Sequence, residues 1–281
     1  MKLSIITINY NNAEGLRKTL ASIASQTYRN IEHIIVDGQS NDDSVDIIKE
    51  YAIKVEGQES RVKSVIWTSE PDMGIYNAIN KGIKKATGDY IQILNSGDLL
   101  ISKDIIEQIM TNLKEHNYPE LLYGNAVDVY DGKRISSHGP GIEYSLRQLY
   151  HGTYPHDSTF FKRELFSEDR YGLYDEDLKI VSDWKWYLQA IGLGNVKPVY
   201  VDVDVTLFDV TGISSQNKEL DRQERQQVLK EVLPPAIYTD CEKYAFPMSQ
   251  YKRLKRYHLW GLVHIIERVL FKLEKWHIIQ K

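Results

Sequence analysis

The sequence predicts an α/β protein in which a mostly parallel sheet is flanked by helices and followed by an amphipathic helical tail. Three observations carry that expectation. The first hundred residues alternate β-branched runs with segments of helical period, each β-run ends in polar or acidic residues, and no repeat or low-complexity stretch interrupts the order. Strands alternating with helices imply right-handed crossovers and a sheet covered on both faces.

The elements follow in order. Residues 3–9 form a β-branched run, and 13–25 carry Leu16, Leu20 and Ile23 at helical spacing after the potential caps Asn11 and Asn12. A strand is expected at 32–37 and a helix at 42–53, whose acidic start suits the helix dipole. Strand 64–68, helix 74–86 with Ile75, Ile79 and Ile83, strand 89–94 and helix 102–115 continue the alternation. Beyond Pro119 the pattern loosens. Strands are expected at 121–130, 134–137 and 158–162, a helix at 182–191, strands at 196–201 and 203–208, and a polar helix at 218–232 before the breaker Pro234-Pro235.

Composition narrows the class. With 42% apolar and 26% charged residues, the 281-residue chain reads as globular rather than disordered. Cys241 is the only cysteine, which excludes an internal disulfide and a zinc cluster and points to a reducing, cytoplasmic setting. The apolar run after Met1 is too short for a signal peptide and reads as a first strand. Residues 251–281 hold eight Lys/Arg and two Glu, a net of +6, so the rest of the −4 chain carries −10. An acidic body argues against a nucleic-acid partner, and a basic tail points to something anionic.

In open α/β sheets ligands bind beyond the carboxyl ends of the strands. Here those ends bring Thr7 and Asn9, Asp37, Glu70 and Asp72, and Asn95 and Asp98, which predicts one acidic, hydrogen-bonding crevice. It has neither Gly-x-Gly-x-x-Gly nor a phosphate-cradling Gly-x-x-x-x-Gly-Lys-Ser/Thr. An acidic crevice that holds a diphosphate needs a divalent cation between the charges, and oxygen ligands suit Mg²⁺ or Mn²⁺.

Several ordered segments resemble one family. Ser4-Ile5-Ile6-Thr7-Ile8-Asn9-Tyr10-Asn11, Ser25-Gln26-Thr27-Tyr28, Ile34-Ile35-Val36-Asp37-Gly38-Gln39-Ser40, Glu70-Pro71-Asp72-Met73-Gly74-Ile75-Tyr76-Asn77-Ala78 and Leu94-Asn95-Ser96-Gly97-Asp98 are similar to the motifs of family 2 glycosyltransferases of the GT-A, Rossmann-like fold. The resemblance spans roughly residues 1–215 and is densest over the first hundred. It implies an inverting transfer from a nucleotide-sugar donor, with a UDP-sugar favoured, to a hydroxyl of a glycan or lipid-linked acceptor in cell-surface polysaccharide synthesis.

The resemblance also implies roles. Asp37 accepts a hydrogen bond from the donor base, Thr7 and Asn9 line that pocket, and Asp72 lies near base or ribose. Asp98 holds the metal on the diphosphate, at the position of an Asp-x-Asp motif. Its first acid is here the amide Asn95, followed by Ser96, both assigned to the donor. Asp183 faces the acceptor hydroxyl as general base. His156 and Trp184 are placed near the acceptor, with Trp184 either a sugar platform or core, and Ser214 lies in a loop that closes over the diphosphate or serves as a plain linker. A bland reading stands beside each role: Asp37-Gly38 and Ser96-Gly97-Asp98 as turns, Asp72 as a helix cap and Asp183 as complement to a dipole.

The expected organisation is a catalytic domain over 1–232, with a nucleotide-binding half (1–100) and an acceptor half (101–217), and a helical tail over 233–281. The apolar face of 252–281 with Trp260 and Trp276 is too charged to span a membrane. It suits an anionic membrane surface, which would place the protein peripherally on the inner face, or else a homodimer contact or a core-packing helix. Two alternatives to a transferase remain. A sugar nucleotidyltransferase needs a Gly-rich basic loop where Asn9-Tyr10-Asn11-Asn12 stands, and a non-catalytic nucleotide- or glycan-binding or scaffold member would tolerate Asn95.

Overall fold

The computed structural model describes residues 1–57, 60–130, 133–139, 145–209, 217–243 and 268. The chain divides into two compact units, residues 1–228 and 229–281. In the first, β1 (Leu3–Asn9), α1 (Ala13–Ala24), β2 (Ile31–Asp37), α2 (Ser44–Glu56), β3 (Ser64–Ser69), α3 (Ile75–Lys85) and β4 (Tyr90–Ile93) realise the expected alternation. Then come β5 (Leu99–Leu100), α4 (Ile105–Glu115), β6 (Leu121–Tyr130), β7 (Lys133–His138), α5 (Leu146–His151), β8 (Thr159–Lys162), α6 (Ser182–Tyr187) and β9 (Pro198–Asp209). α7 (Lys218–Val232) follows, and the division between the units falls within it. In the second unit the helix break at Pro234 precedes a helix over 235–243.

The strands form one curled sheet in the order β3-β2-β1-β4-β8-β6-β9-β5, with β7 beside β6. β1 to β4 run parallel, in the register Asn9↔Asp37↔Ser69, so their carboxyl ends share one edge. β8 is antiparallel to both β4 and β6, which returns β6 and β9 to the direction of β1.

Burial explains the elements. All seven residues of β1 and of β2 are buried, as strands covered on both faces must be. α1 turns Leu16, Leu20 and Ile23 inward to Ile5 and Ile35, each worth about 2 kcal/mol of apolar burial before entropy is counted. α3 lies close on the other face: a Cβ on Gly82 would stand 2.4 Å from Ile6 Cγ2. Any side chain there would push the helix off the strand.

Several boundaries differ from expectation. The two strands predicted at 196–201 and 203–208 are one, β9, whose pairing with β6 shifts register around Asn125. The irregularity absorbs the polar Asp202 without ending the strand. α6 is α-helical only to Tyr187 and continues as a π-turn over Leu188–Leu193. β5 and α5, each too short to show a period, had no sequence signal. The tail over 252–281, apart from helical Arg268, lies outside the described residues. Among the described residues no helix is long and apolar enough to cross a membrane.

Candidate functional site

The carboxyl edge of β1–β4 carries Asn9 and Asp37 at strand ends, with Asp72, Asn95 and Asp98 on the turns that follow β3 and β4. Asp37, at the end of β2, is fully buried. Its Oδ1 accepts from Asn9 Nδ2 at 2.8 Å and Ser40 Oγ at 2.6 Å, and its Oδ2 from the Ser40 N–H at 2.9 Å and Ser69 Oγ at 2.7 Å. Four donors fix the carboxylate and tie three strand ends together. Asn9 Oδ1 is buried without a partner. Thr7 lies deeper: its hydroxyl is 2.9 Å from His33 Nε2, and His33 Nδ1 is 3.0 Å from the Tyr51 hydroxyl. Thr7 therefore packs between sheet and α2 rather than lining the crevice.

Gly38 brings two further groups together. A Cβ at this position would lie 3.1 Å from Asp72 Oδ2 and 3.2 Å from Tyr10 Cδ2. Asp72 is steered by Lys81, whose ammonium is 2.7 Å from Asp72 Oδ1 and 3.0 Å from Glu70. Burial alone would lower the Lys81 ammonium, but these carboxylates outweigh it and raise it. Tyr10 is 66% exposed, an open aromatic face at the end of β1 that sequence reading passed over. Its position between Asn9 and Asn11 was the available signal.

Beyond β4 the chain turns through Asn95-Ser96-Gly97-Asp98. Gly97 has φ +110°, a conformation that favours glycine. The Ser96 carbonyl accepts from Asn12 Nδ2 at 3.0 Å, and Thr19 Oγ1 donates to the Asp98 carbonyl at 2.8 Å, so α1 holds the turn from behind. Asp98 is 5% exposed. Asn95 Nδ2 lies 3.2 Å from His156 Nε2, which unites two residues predicted from distant segments, while Asn95 Oδ1 is buried without a partner. His156 is held there because Asp157 is anchored on both sides. Its carbonyl accepts from Gln92 Nε2 at 2.8 Å, and its carboxylate accepts from the Thr206 hydroxyl.

Among the described residues no group of three or more His, Cys, Asp or Glu side chains forms a ready metal cage. The unpartnered amide oxygen of Asn95, on the turn that carries Asp98, is an oxygen donor of the kind a hard cation takes.

Asp183 sits in the first turn of α6, and its Oδ1 accepts from the Tyr76 hydroxyl at 2.7 Å. Burial first, then the Asp183 charge, raises the Tyr76 phenol well above its ordinary value, so it remains an O–H donor. Tyr76 belongs to α3, whose Asn80 bonds both the N–H (3.0 Å) and the carbonyl (2.8 Å) of Tyr174. Helix α3, which starts just after Asp72, thus carries the turn that bears Asp72 at its amino end and grips the segment leading to Asp183 along its flank. Trp184, read as a sugar platform or core, belongs to the core. It is 1% exposed, its indole N–H donates to the Leu149 carbonyl at 2.6 Å, and the Arg225 guanidinium lies 4.5 Å from its ring. Ser214 lies outside the described residues.

Comparison with known proteins identifies the family and the fold. The family model for Glycosyl transferase family 2 matches residues 4–169. An uncharacterised glycosyltransferase of Mycobacterium tuberculosis is 34% identical over 220 residues, which cover 77% of this chain and 78% of that protein. A PGL/p-HBAD biosynthesis glycosyltransferase of Mycobacterium bovis is 28% identical, over 74% of this chain and 77% of the relative. Among solved structures, S. aureus TarS 1-349 in complex with UDP-GlcNAc superposes with a TM-score of 0.63 at 18% identity, covering 85% of this chain and 69% of that one. The mannosyltransferase PcManGT from Pyrobaculum calidifontis, in complex with GDP-Man and Mn²⁺, gives 0.62 at 17% identity over 98% and 82%. The fold is that of the GT-A glycosyltransferases, and the chain belongs to glycosyl transferase family 2.

Proposed function

We propose that this glycosyltransferase moves a sugar, with inversion, from a UDP-sugar to a hydroxyl of a glycan or lipid-linked acceptor, with Asp183 as general base. The observation that carries the reading is the pairing of Asp183 with Tyr76, on the helix that begins immediately after the donor-side Asp72. A base must stand within reach of the acceptor proton while the donor is fixed nearby, and one rigid helix spanning both supplies that relation.

In this reading the donor base lies over Gly38 against the open face of Tyr10, and the buried Asn9–Asp37–Ser40 network keeps that floor rigid. Asp98, with Asn95 Oδ1 on the same turn, would hold Mg²⁺ or Mn²⁺. When bound, that ion neutralises charge developing on the departing nucleoside diphosphate. Asp183 accepts the acceptor's hydroxyl proton as the oxygen attacks the anomeric carbon from the face opposite the leaving group. Tyr76 keeps the carboxylate aimed at that oxygen. UDP is favoured by the UDP complexes of TarS, while the GDP-Man complex of PcManGT makes guanine the alternative to test. A role in cell-surface polysaccharide synthesis, at the inner membrane face, is supported by the basic composition of residues 251–281.

The test is nucleoside diphosphate release from a panel of UDP-glucose, UDP-galactose, UDP-GlcNAc and GDP-mannose, with Mn²⁺ and with EDTA. Metal-dependent release that is lost in Asp183→Asn and Asp98→Ala is expected. Turnover near wild type in either variant would refute the role assigned to that residue.

A further inference from the structure

We propose that Glu224, on the helix that follows the sheet, is a positioning residue that sets the placement of Asp183; the inference rests on the reading of Asp183 as the base. Glu224 is 6% exposed although α7 is otherwise strongly polar. Its carboxylate accepts three consecutive backbone N–H groups: Lys179 at 2.7 Å, Ile180 at 2.9 Å and Val181 at 3.3 Å. These peptides lead directly into α6, where Asp183 is the second residue. Loop N–H groups at a helix entrance have no intrahelical acceptor, and one buried carboxylate satisfies all three.

The grip is two-sided. The Ile180 N–H is held by Glu224, while its carbonyl lies 2.5 Å from the Tyr76 hydroxyl, which also reaches Asp183. The next residue of α7, Arg225, lies over the ring of Trp184, immediately after Asp183, and is steadied by Asp221 at 3.0 Å. Two adjacent residues of α7 therefore clamp the backbone before Asp183 and the side chain after it. Among the described residues the hydrogen bonds of Glu224 go to Lys179, Ile180 and Val181, and none goes to Asn9, Asp37, Ser40 or Asp72.

Removal of the carboxylate takes the acceptor from three consecutive N–H groups, those of exposed Lys179, half-buried Ile180 and buried Val181, and frees the entrance to α6. A shift on the order of 1 Å in a reacting group costs up to about 100-fold in rate. The variants are Glu224→Ala and Glu224→Gln, which keeps one acceptor oxygen, with Asp183→Asn in parallel. Turnover is expressed per UDP-binding site counted by calorimetry with Mn²⁺, so a lost folded fraction does not register as a lost rate. The expected result is that kcat falls at least about tenfold in Glu224→Ala and less in Glu224→Gln, with KM for the donor and UDP affinity unchanged. Hydrogen exchange should rise in a peptide covering residues 179–187 and stay constant in β1 and β2.

Unchanged exchange in that peptide overturns the proposal whatever the donor proves to be. Unchanged kcat per site, with Asp183→Asn inactive, overturns it as well. An active Asp183→Asn instead removes the reading of the base itself, which separates the two failures.

Discussion

The Tyr76 hydroxyl stands 2.7 Å from Asp183 Oδ1 and 2.5 Å from the Ile180 carbonyl oxygen, one hydrogen shared between two acceptors. Tyr76→Phe keeps the ring packing and deletes that hydrogen. A lost buried hydrogen bond costs about 1 kcal/mol of stability. A base no longer held in line should lower kcat about tenfold with donor KM unchanged. Steady-state kinetics and urea unfolding on the same preparation measure both, and an unchanged kcat would show that Tyr76 only packs.

Asp183→Asn preserves shape and removes the proton acceptor. General-base removal typically costs 10²–10⁴ in rate, so kcat should fall by about that factor. Calorimetric UDP affinity should remain at the wild-type value, because the hydrogen bond found for Asp183 is to Tyr76 of α3 rather than to Asp37 or Asp72.

Asn95→Asp puts a second carboxylate on the turn that carries Asp98. In the presence of UDP the affinity for Mn²⁺ should rise about tenfold, or ~1.4 kcal/mol. Asp98→Asn should weaken it by more. Titration of Mn²⁺ into the UDP-saturated protein reads both, and equal affinities in all three proteins would remove the metal from this turn.

Acid should destabilise the protein in two windows. Burial holds His33 down at about 3, against 6.5 when unfolded, so between those values the unfolded chain binds the extra proton and stability falls as pH falls. Glu32 moves the same way lower down. Burial would raise it, but the Lys2 ammonium, the Ser4 hydroxyl and the Thr87 N–H and hydroxyl bring it to about 2, against 4.5 unfolded. Its stabilising contribution is complete above 4.5 and lost towards 2. Each unit of either window is worth ~1.4 kcal/mol. Urea midpoints should therefore decline from pH 6.5 to 5, where His33 acts before the carboxylates titrate. A flat profile there would mean that His33 is not buried and neutral.

Much of the fold was legible because it is written locally. The runs Leu3–Asn9 and Ile31–Asp37 are continuous and β-branched, and Leu16, Leu20 and Ile23 recur at helical spacing. The motifs around Asp37, Asp72 and Asp98 lie at strand ends, where the alternation of elements alone places them on one edge. β5 and α5 span too few residues to carry a period, and the continuity of β9 depends on how β6 pairs with it.

The sequence by itself determined the sheet, its polar edge and the family, because periodicity and short motifs depend on neighbours along the chain. The tertiary structure decided which distant residues meet. Asn95 and His156 are 61 positions apart, Tyr76 and Asp183 are 107 apart, and Glu224 reaches peptides more than 40 residues before it. It also decided that Thr7 turns to His33 and that Trp184 is core. The reason is physical: a side chain's direction and its partners follow from how helices dock on the sheet, and no local pattern encodes that docking.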